Sequence, residues 1–413
     1  MRKKKVLIVG AGVSGLSAAL DLADFGIKVD LVDSSDFPGG QTVRLSCKAI
    51  ESCVNCGACI IEEKLNQVRQ FPSIRLMPRT RIKSIRKDGT FKAELQHKPV
   101  FIDPVRCNAC GLCLEKCPVN GGILQGSSTH HIPFFAVSEK RCVFLKDRSC
   151  RICEEVCPEK AIHLEAVETF ESVEADAVVL ACGFNVFNPE QKYGYKLFKN
   201  TMTSLELEDM VRRQGRVSLP WNGQDPGRIA FIQCVGSRDE KIKHLWCSKY
   251  CCGFALRMAD RITSRQPDVE ITVFYIDFQT IGNNFESFLS MLKKKIRMIR
   301  IIPGDVFPGE RDRLKLTYVD NRTSESVQEE FDLIVLSVGM EPREGVEEMI
   351  SSLGIDRERS GFIDAETSEK GSSLGLFFTG SVTGPMTIAE SMADAGKCAW
   401  EVLNYFKGRC LGK

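Results

Sequence analysis

The chain has 413 residues, 43% of them hydrophobic, and a formal net charge of +2. That length holds two or three domain-sized cores; no run approaches the apolar length of a membrane span, and so small a charge gives no electrostatic case for nucleic acid as a partner. Cysteine is the outlying component, with nineteen present and sixteen of them in four groups of four. In a reducing cytoplasm, where the chain is expected to reside, closely spaced thiols point to metal rather than to disulfides.

The basic start followed by a short apolar run mimics a signal peptide, but the run passes directly into a glycine motif and reads as a first strand. Residues 5 to 20 predict a buried parallel strand, a glycine turn and an amphipathic helix. Gly10 serves the tight turn, Gly12 the close approach of a pyrophosphate, and Gly15 the packing of helix on strand. The next strand ends in Asp33, placed to accept hydrogen bonds from a ribose. Gly39 and Gly40 then let the chain pass close to the same ligand. The position of the motif in the chain and the later glycine pair favour FAD over NAD.

Cys47, Cys53, Cys56 and Cys59 follow, with a C-x2-C-x2-C core suited to an iron–sulfur cluster. The competing reading is a redox-active cysteine pair that reduces the flavin. Residues 74 to 95 read as short strands of the same domain.

Residues 98–165 carry the bacterial ferredoxin pattern twice, the second copy widened between its first two cysteines. In that pattern three thiolates come from one short loop and the fourth, before a proline, crosses to the other cluster. One cluster is therefore expected on Cys107, Cys110, Cys113 and Cys157, the other on Cys142, Cys150, Cys153 and Cys117. Structural zinc also uses C-x2-C spacing but does not call for the Cys-Pro run. As an insertion between neighbouring strands, this unit would hold its clusters near the flavin.

The dinucleotide domain resumes with a strand running from Ala175 to Gly183. A second nucleotide-type fold is expected to begin near Gly227, but Cys234 and Gly236 stand where a phosphate loop would lie. With Cys247, Cys251 and Cys252, Cys234 forms a fourth group, which argues that a cluster replaces a pyridine nucleotide there. Unrelated thiols in a vestigial fold are the alternative. Further on, a helix from Phe285 to Lys295 ends in a basic run, read as a solvated helix end. A strand over 331–339 leads back to the first domain. Gly380 and Thr387 then open a closing helix whose amino end can face the flavin, although Ser381 stands where many flavoproteins carry Asp. Cys182, Cys398 and Cys410 fall outside the groups and read as incidental, and His130, His131 and His163 as loop histidines.

Taken together, the ferredoxin insert, the segment from Phe231 to Glu240 and the run Cys247 to Cys252 resemble the A subunit of heterodisulfide reductase, a flavin and iron–sulfur protein. The resemblance covers almost the whole chain, in a short form without the extra segments that family members often carry at either end. It implies an α/β flavoprotein with two dinucleotide-binding domains, like thioredoxin reductase, and an inserted α+β bacterial-type ferredoxin domain. The implied division is 1–97, 166–225 and 341–413 for the FAD domain, 98–165 for the insert and 226–340 for the second domain. It further implies FAD, cubane clusters, a cluster on Cys234, Cys247, Cys251 and Cys252 beside the FAD, and an oxidoreductase that moves electrons. In many members those electrons bifurcate between acceptors. Expected partners are other subunits of such a complex and a ferredoxin-type carrier. Non-bifurcating transfer, as in the A subunit of the quinone-interacting membrane-bound oxidoreductase, is the first alternative. The others are a non-catalytic wiring role and an NAD(P)H-dependent flavoprotein.

Overall fold

The computed structural model describes residues 3–103, 106–127, 133–190, 192–279, 284–356 and 361–408. His130, His131 and Cys410 lie outside the described residues. Five parallel strands form the first sheet, in the order 376–378, 177–180, 5–9, 28–32, 74–77. Both of its faces are covered, which is why these strands are apolar without alternation. Val6 and Ile8 face the helices Val13–Asp24, Ile60–Gln70 and Ile388–Phe406. Leu7 faces an antiparallel sheet of Thr80–Asp88, Thr90–His97 and Thr169–Ala175.

The insert leaves from that antiparallel sheet. His97 and Thr169 are register partners at the ends of two paired strands, so residues 98–168 are topologically a hairpin tip and disturb no other pairing. The insert has its own small core of Phe101, Ile102, Ile123, Phe135, Phe144 and Ile162. Its strands Ile123–Ser127 and Pro133–Val137 pair antiparallel.

The second domain repeats the plan. Its parallel strands run 201–203, 333–338, 228–235, 270–274, 297–299. One face takes the helices Ser204–Gln214 and Cys251–Arg265, the other a three-stranded antiparallel sheet. This corrects the expected boundary at 225. Thr201–Thr203 pairs with Leu333–Val338, and the helix after it, capped by a Thr203–Glu206 box, packs on the second core. The short pair Asn185–Val186 with Met340–Glu341 marks the crossing between domains instead. The helix expected from Phe285 to Lys295 ends at Leu292. Lys295 turns back to pair with Asp260 at 2.8 Å, so it is not a free member of a basic run.

Candidate redox site

The glycine turn has the geometry its spacing predicts. Gly10 has φ +105°, and a Cβ there would lie 2.4 Å from the Ala181 carbonyl oxygen. A Cβ on Gly15 would meet the Gly10 carbonyl oxygen at 1.8 Å, so only hydrogen lets the helix lie on the strand. Gly12 and Gly40 face each other across a narrow gap: a Cβ on Gly40 would stand 3.1 Å from the Gly12 Cα and close it. The helix Val13–Asp24 starts there with no side-chain cap and no acidic residue in its first turn. Its first N–H groups and dipole are therefore presented to an anion, which fits the pyrophosphate of FAD.

Asp33 holds this loop together. Its carboxylate accepts from the Ala11 N–H at 2.7 Å and the Ser35 N–H at 2.8 Å, and the Gly39 N–H donates to the Ala11 carbonyl at 2.8 Å. Gly183 adopts φ +71° with no atom within 4 Å of the direction a Cβ would take. Gly380 backs onto the first helix, where a Cβ would lie 2.0 Å from Ser14 Oγ. Asp394 accepts from the Gly380 N–H at 2.7 Å and the Thr379 hydroxyl at 2.9 Å. Thr387 caps the helix Ile388–Phe406 through a box with Glu390.

The insert contains two recesses. Cys107, Cys110, Cys113 and Cys157 line one, with Phe135 and Ile162. Cys117, Cys142, Cys150 and Cys153 line the other, with Pro118 and Ile123. Burial, then the charge of neighbouring sulfurs, pushes the Cys113 thiol up to about 11 and the Cys153 thiol up to about 12. Deprotonating four such thiols together needs a cation among them. Among the described residues no group of His, Cys, Asp or Glu is arranged to hold a single metal ion. The donor set, four sulfurs lining one recess, fits a polynuclear iron–sulfur core.

The insert docks beside Asp33. Phe37 and Phe134 pack with ring centroids 4.1 Å apart, and buried Arg79 bridges Asp36 in the loop after Asp33 to Glu139 in the insert. Burial works against the charge of Glu139, but Arg79 and then Lys98 hold its carboxyl below the usual range. The expectation that the insert sits near the flavin is thus refined: its contacts are on the loop following the residue assigned to the ribose.

The other two cysteine groups sit elsewhere. Cys234 lies at a kink in its strand, with φ +60° and a register shift between Ile232 and Val235. Cys251 and Cys252 open the helix Cys251–Arg265. Burial, then Cys252, pushes the Cys234 thiol up to about 12, with Cys247 adding to the effect. In the second domain a phosphate cradle is absent among the described residues. Gly236 lies under the Phe187 ring, 2.1 Å from where its Cβ would be, and the chain detours through residues 237–250 before the helix begins. The detour is knitted in place by Trp246 Nε1 donating to the Met340 carbonyl at 2.8 Å and Tyr250 Oη donating to the Val338 carbonyl at 2.6 Å.

Cys47, Cys53, Cys56 and Cys59 are close enough that the other three all raise the Cys59 thiol, after the larger effect of burial. Gly57 in this loop packs on Ile388, 3.2 Å from where its Cβ would be, and Lys249 beside the fourth group pairs with Glu390 at 3.0 Å. Both groups therefore meet the amino end of the helix Ile388–Phe406, the end that carries Thr387. All eighteen described cysteines are free, Cys182 and Cys398 belong to none of the four groups, and His163 is exposed. Sequence reasoning missed Arg79, Asp394, Lys48, Glu208 and Arg261.

A family model described as FAD dependent oxidoreductase matches residues 5–52. Among curated proteins, the A subunit of the H(2):CoB-CoM heterodisulfide,ferredoxin reductase of Methanothermobacter marburgensis is 32% identical over 96% of this chain and 63% of its own length. The second iron-sulfur A subunit of the CoB–CoM heterodisulfide reductase of Methanopyrus kandleri is also 32% identical, with the same coverage. Over almost its whole length the chain is similar to the A subunits of heterodisulfide reductases. It spans less than two thirds of these family members, and 53% of the A subunit of the Methanosarcina mazei ferredoxin:CoB-CoM heterodisulfide reductase, to which it is 30% identical. Among solved structures, thioredoxin reductases of T. acidophilum and Lactococcus lactis superpose with TM-scores of 0.56 and 0.55 at 16% and 14% identity. Each match covers 98% of this chain and all of the other. The chain thus has the two-domain thioredoxin-reductase fold that its sequence implies.

Proposed function

We propose that this chain is the FAD- and iron–sulfur-containing electron-transfer component of a heterodisulfide-reductase-like complex, an oxidoreductase with four cubane sites. The observation that carries the reading is the pair of recesses in the insert, each ringed by four cysteines in crossed order. Bound FAD exchanges electrons in pairs with a donor and singly with clusters, which each carry one. The chain's own part is to position and insulate. Gly12 and Gly40 leave the gap for a pyrophosphate, Asp33 and Asp394 fix the loops on either side, and the two groups at the start of the helix Ile388–Phe406 lie beside the residues assigned to the flavin.

Four cysteine sites in separate settings, two in the insert docked beside Asp33 and two at Thr387, give electrons more than one way out. That arrangement supports bifurcation or confurcation between a ferredoxin-type carrier and partner subunits. Among the described residues no helix is long and apolar enough to cross a membrane. The proposed assembly is cytoplasmic and reaches its partners through protein surfaces.

Pyridine nucleotide is not the direct donor on this reading, because Phe187 covers Gly236 and Cys234 takes the phosphate-loop position. Anaerobic flavin absorbance checks this. The isolated, FAD-loaded chain should show no rapid bleaching with NADH or NADPH, and fast bleaching by either would restore the NAD(P)H-dependent alternative.

A further inference from the structure

The joint between the two domains encloses a charged group that no cofactor assignment uses. Lys48, Glu208 and Arg261 are 5%, 0% and 2% exposed, and Ser46 is fully buried beside them. Lys48 Nζ lies 2.6 and 2.7 Å from the two Glu208 oxygens, and the Ser46 N–H donates to the same carboxylate at 2.7 Å. Arg261 donates to Ser46 Oγ at 3.0 Å and to the carbonyl of Cys47. Its Nε has no hydrogen-bond partner, and among the described residues it has no carboxylate ion pair.

Two cations against one carboxylate leave a sealed net positive charge, which is costly unless an anion lies alongside. Four neutral thiols supply none. The sulfurs of Cys56 and Cys47 are near enough to act on Lys48 and Arg261 respectively. We infer that Lys48 and Arg261 are the counter-charge of a negatively charged iron–sulfur centre held by Cys47, Cys53, Cys56 and Cys59, with Arg261 also positioning Cys47 through its carbonyl. This rests on the proposed reading of that group as a cluster site. Each electron added to such a centre makes it one charge more negative, so two fixed cations favour the reduced state and raise its potential.

The same residues link two sites. Cys251, Phe254, Met258 and Arg261 fall on one face of the helix Cys251–Arg265, and Lys48 Nζ lies 5.4 Å from the Phe254 ring centroid. One rigid helix therefore starts at the Cys251–Cys252 site and, ten residues or about 15 Å along its axis, grips Cys47.

The test uses the anaerobically purified full chain with FAD, iron analysis and EPR-monitored reductive titration with dithionite. Cys56→Ser should remove about four irons and one EPR signal; if it removes neither, the cluster reading and this inference both fall. Given that signal, Lys48→Met and Arg261→Gln should each move its midpoint to lower potential, with Arg261→Lys retaining most of the parental value. Lys48→Met with Glu208→Gln removes one charge of each sign and should stay near parental, which guards against a folding artefact. An unmoved midpoint in both single variants, or a shift confined to the flavin, would overturn the inference while leaving the cluster reading intact.

Discussion

Cys252→Ser is expected to stop electron passage between partner proteins while leaving FAD bound and the insert's centres unchanged. Cys252 is 3% exposed and sits in the first helical turn, beside Cys251 and near Cys234 and Cys247. A serine hydroxyl is a poor substitute for a thiolate toward iron, so that site should lose its roughly four irons. The insert has a separate core and separate ligands, and the glycine turn that takes FAD lies on another sheet. Both should survive. The matching change Cys110→Ser, at a recess enclosed by the insert alone, should silence only the branch through the insert. Reconstituted transfer rates decide the matter. A Cys252→Ser chain passing electrons at the parental rate would take this site off the path and favour a wiring role with a structural FAD.

Glu208→Ala should be among the most destabilising single substitutions in the chain. The carboxylate is fully buried and satisfies Lys48 with both oxygens and the Ser46 N–H with one. Removing it leaves two buried cations with no carboxylate and a cavity between the helix Ser204–Gln214 and the loop at Ser46. Breaking a buried pair on one side costs about 3–5 kcal/mol. Glu208→Gln keeps an acceptor and should cost less. Chemical denaturation of the two variants beside the parent measures this. Equal midpoints for Ala and parent would mean that the joint is open to water and that the charge argument does not apply.

How much of this was readable in advance follows from the distance over which each feature is encoded. The glycine turn, the four-cysteine recesses of the insert and the double cysteine at a helix start are set by spacings of a few residues. The strands that flank the insert pair through His97 and Thr169. The Lys48–Glu208 pair spans 160 residues and the Arg261–Cys47 contact spans 214. A lysine beside a cysteine and an arginine in the last turns of a helix look like any surface charges, and no periodicity marks them. Asp394 was hidden for the same reason. It lies inside the closing helix, 14 residues from the Gly380 N–H it holds. The domain boundary was misplaced because Thr201–Thr203 is only three residues long. Its membership of the second sheet depends on pairing with Leu333–Val338, far along the chain.

Iron, acid-labile sulfide and flavin per chain, measured together on anaerobically purified protein, test the central claim most directly. Four cubane sites and one dinucleotide site predict about sixteen irons, about sixteen sulfides and one FAD. About twelve irons would remove the site at Cys47 to Cys59, and zinc in place of iron, with no labile sulfide, would contradict the account.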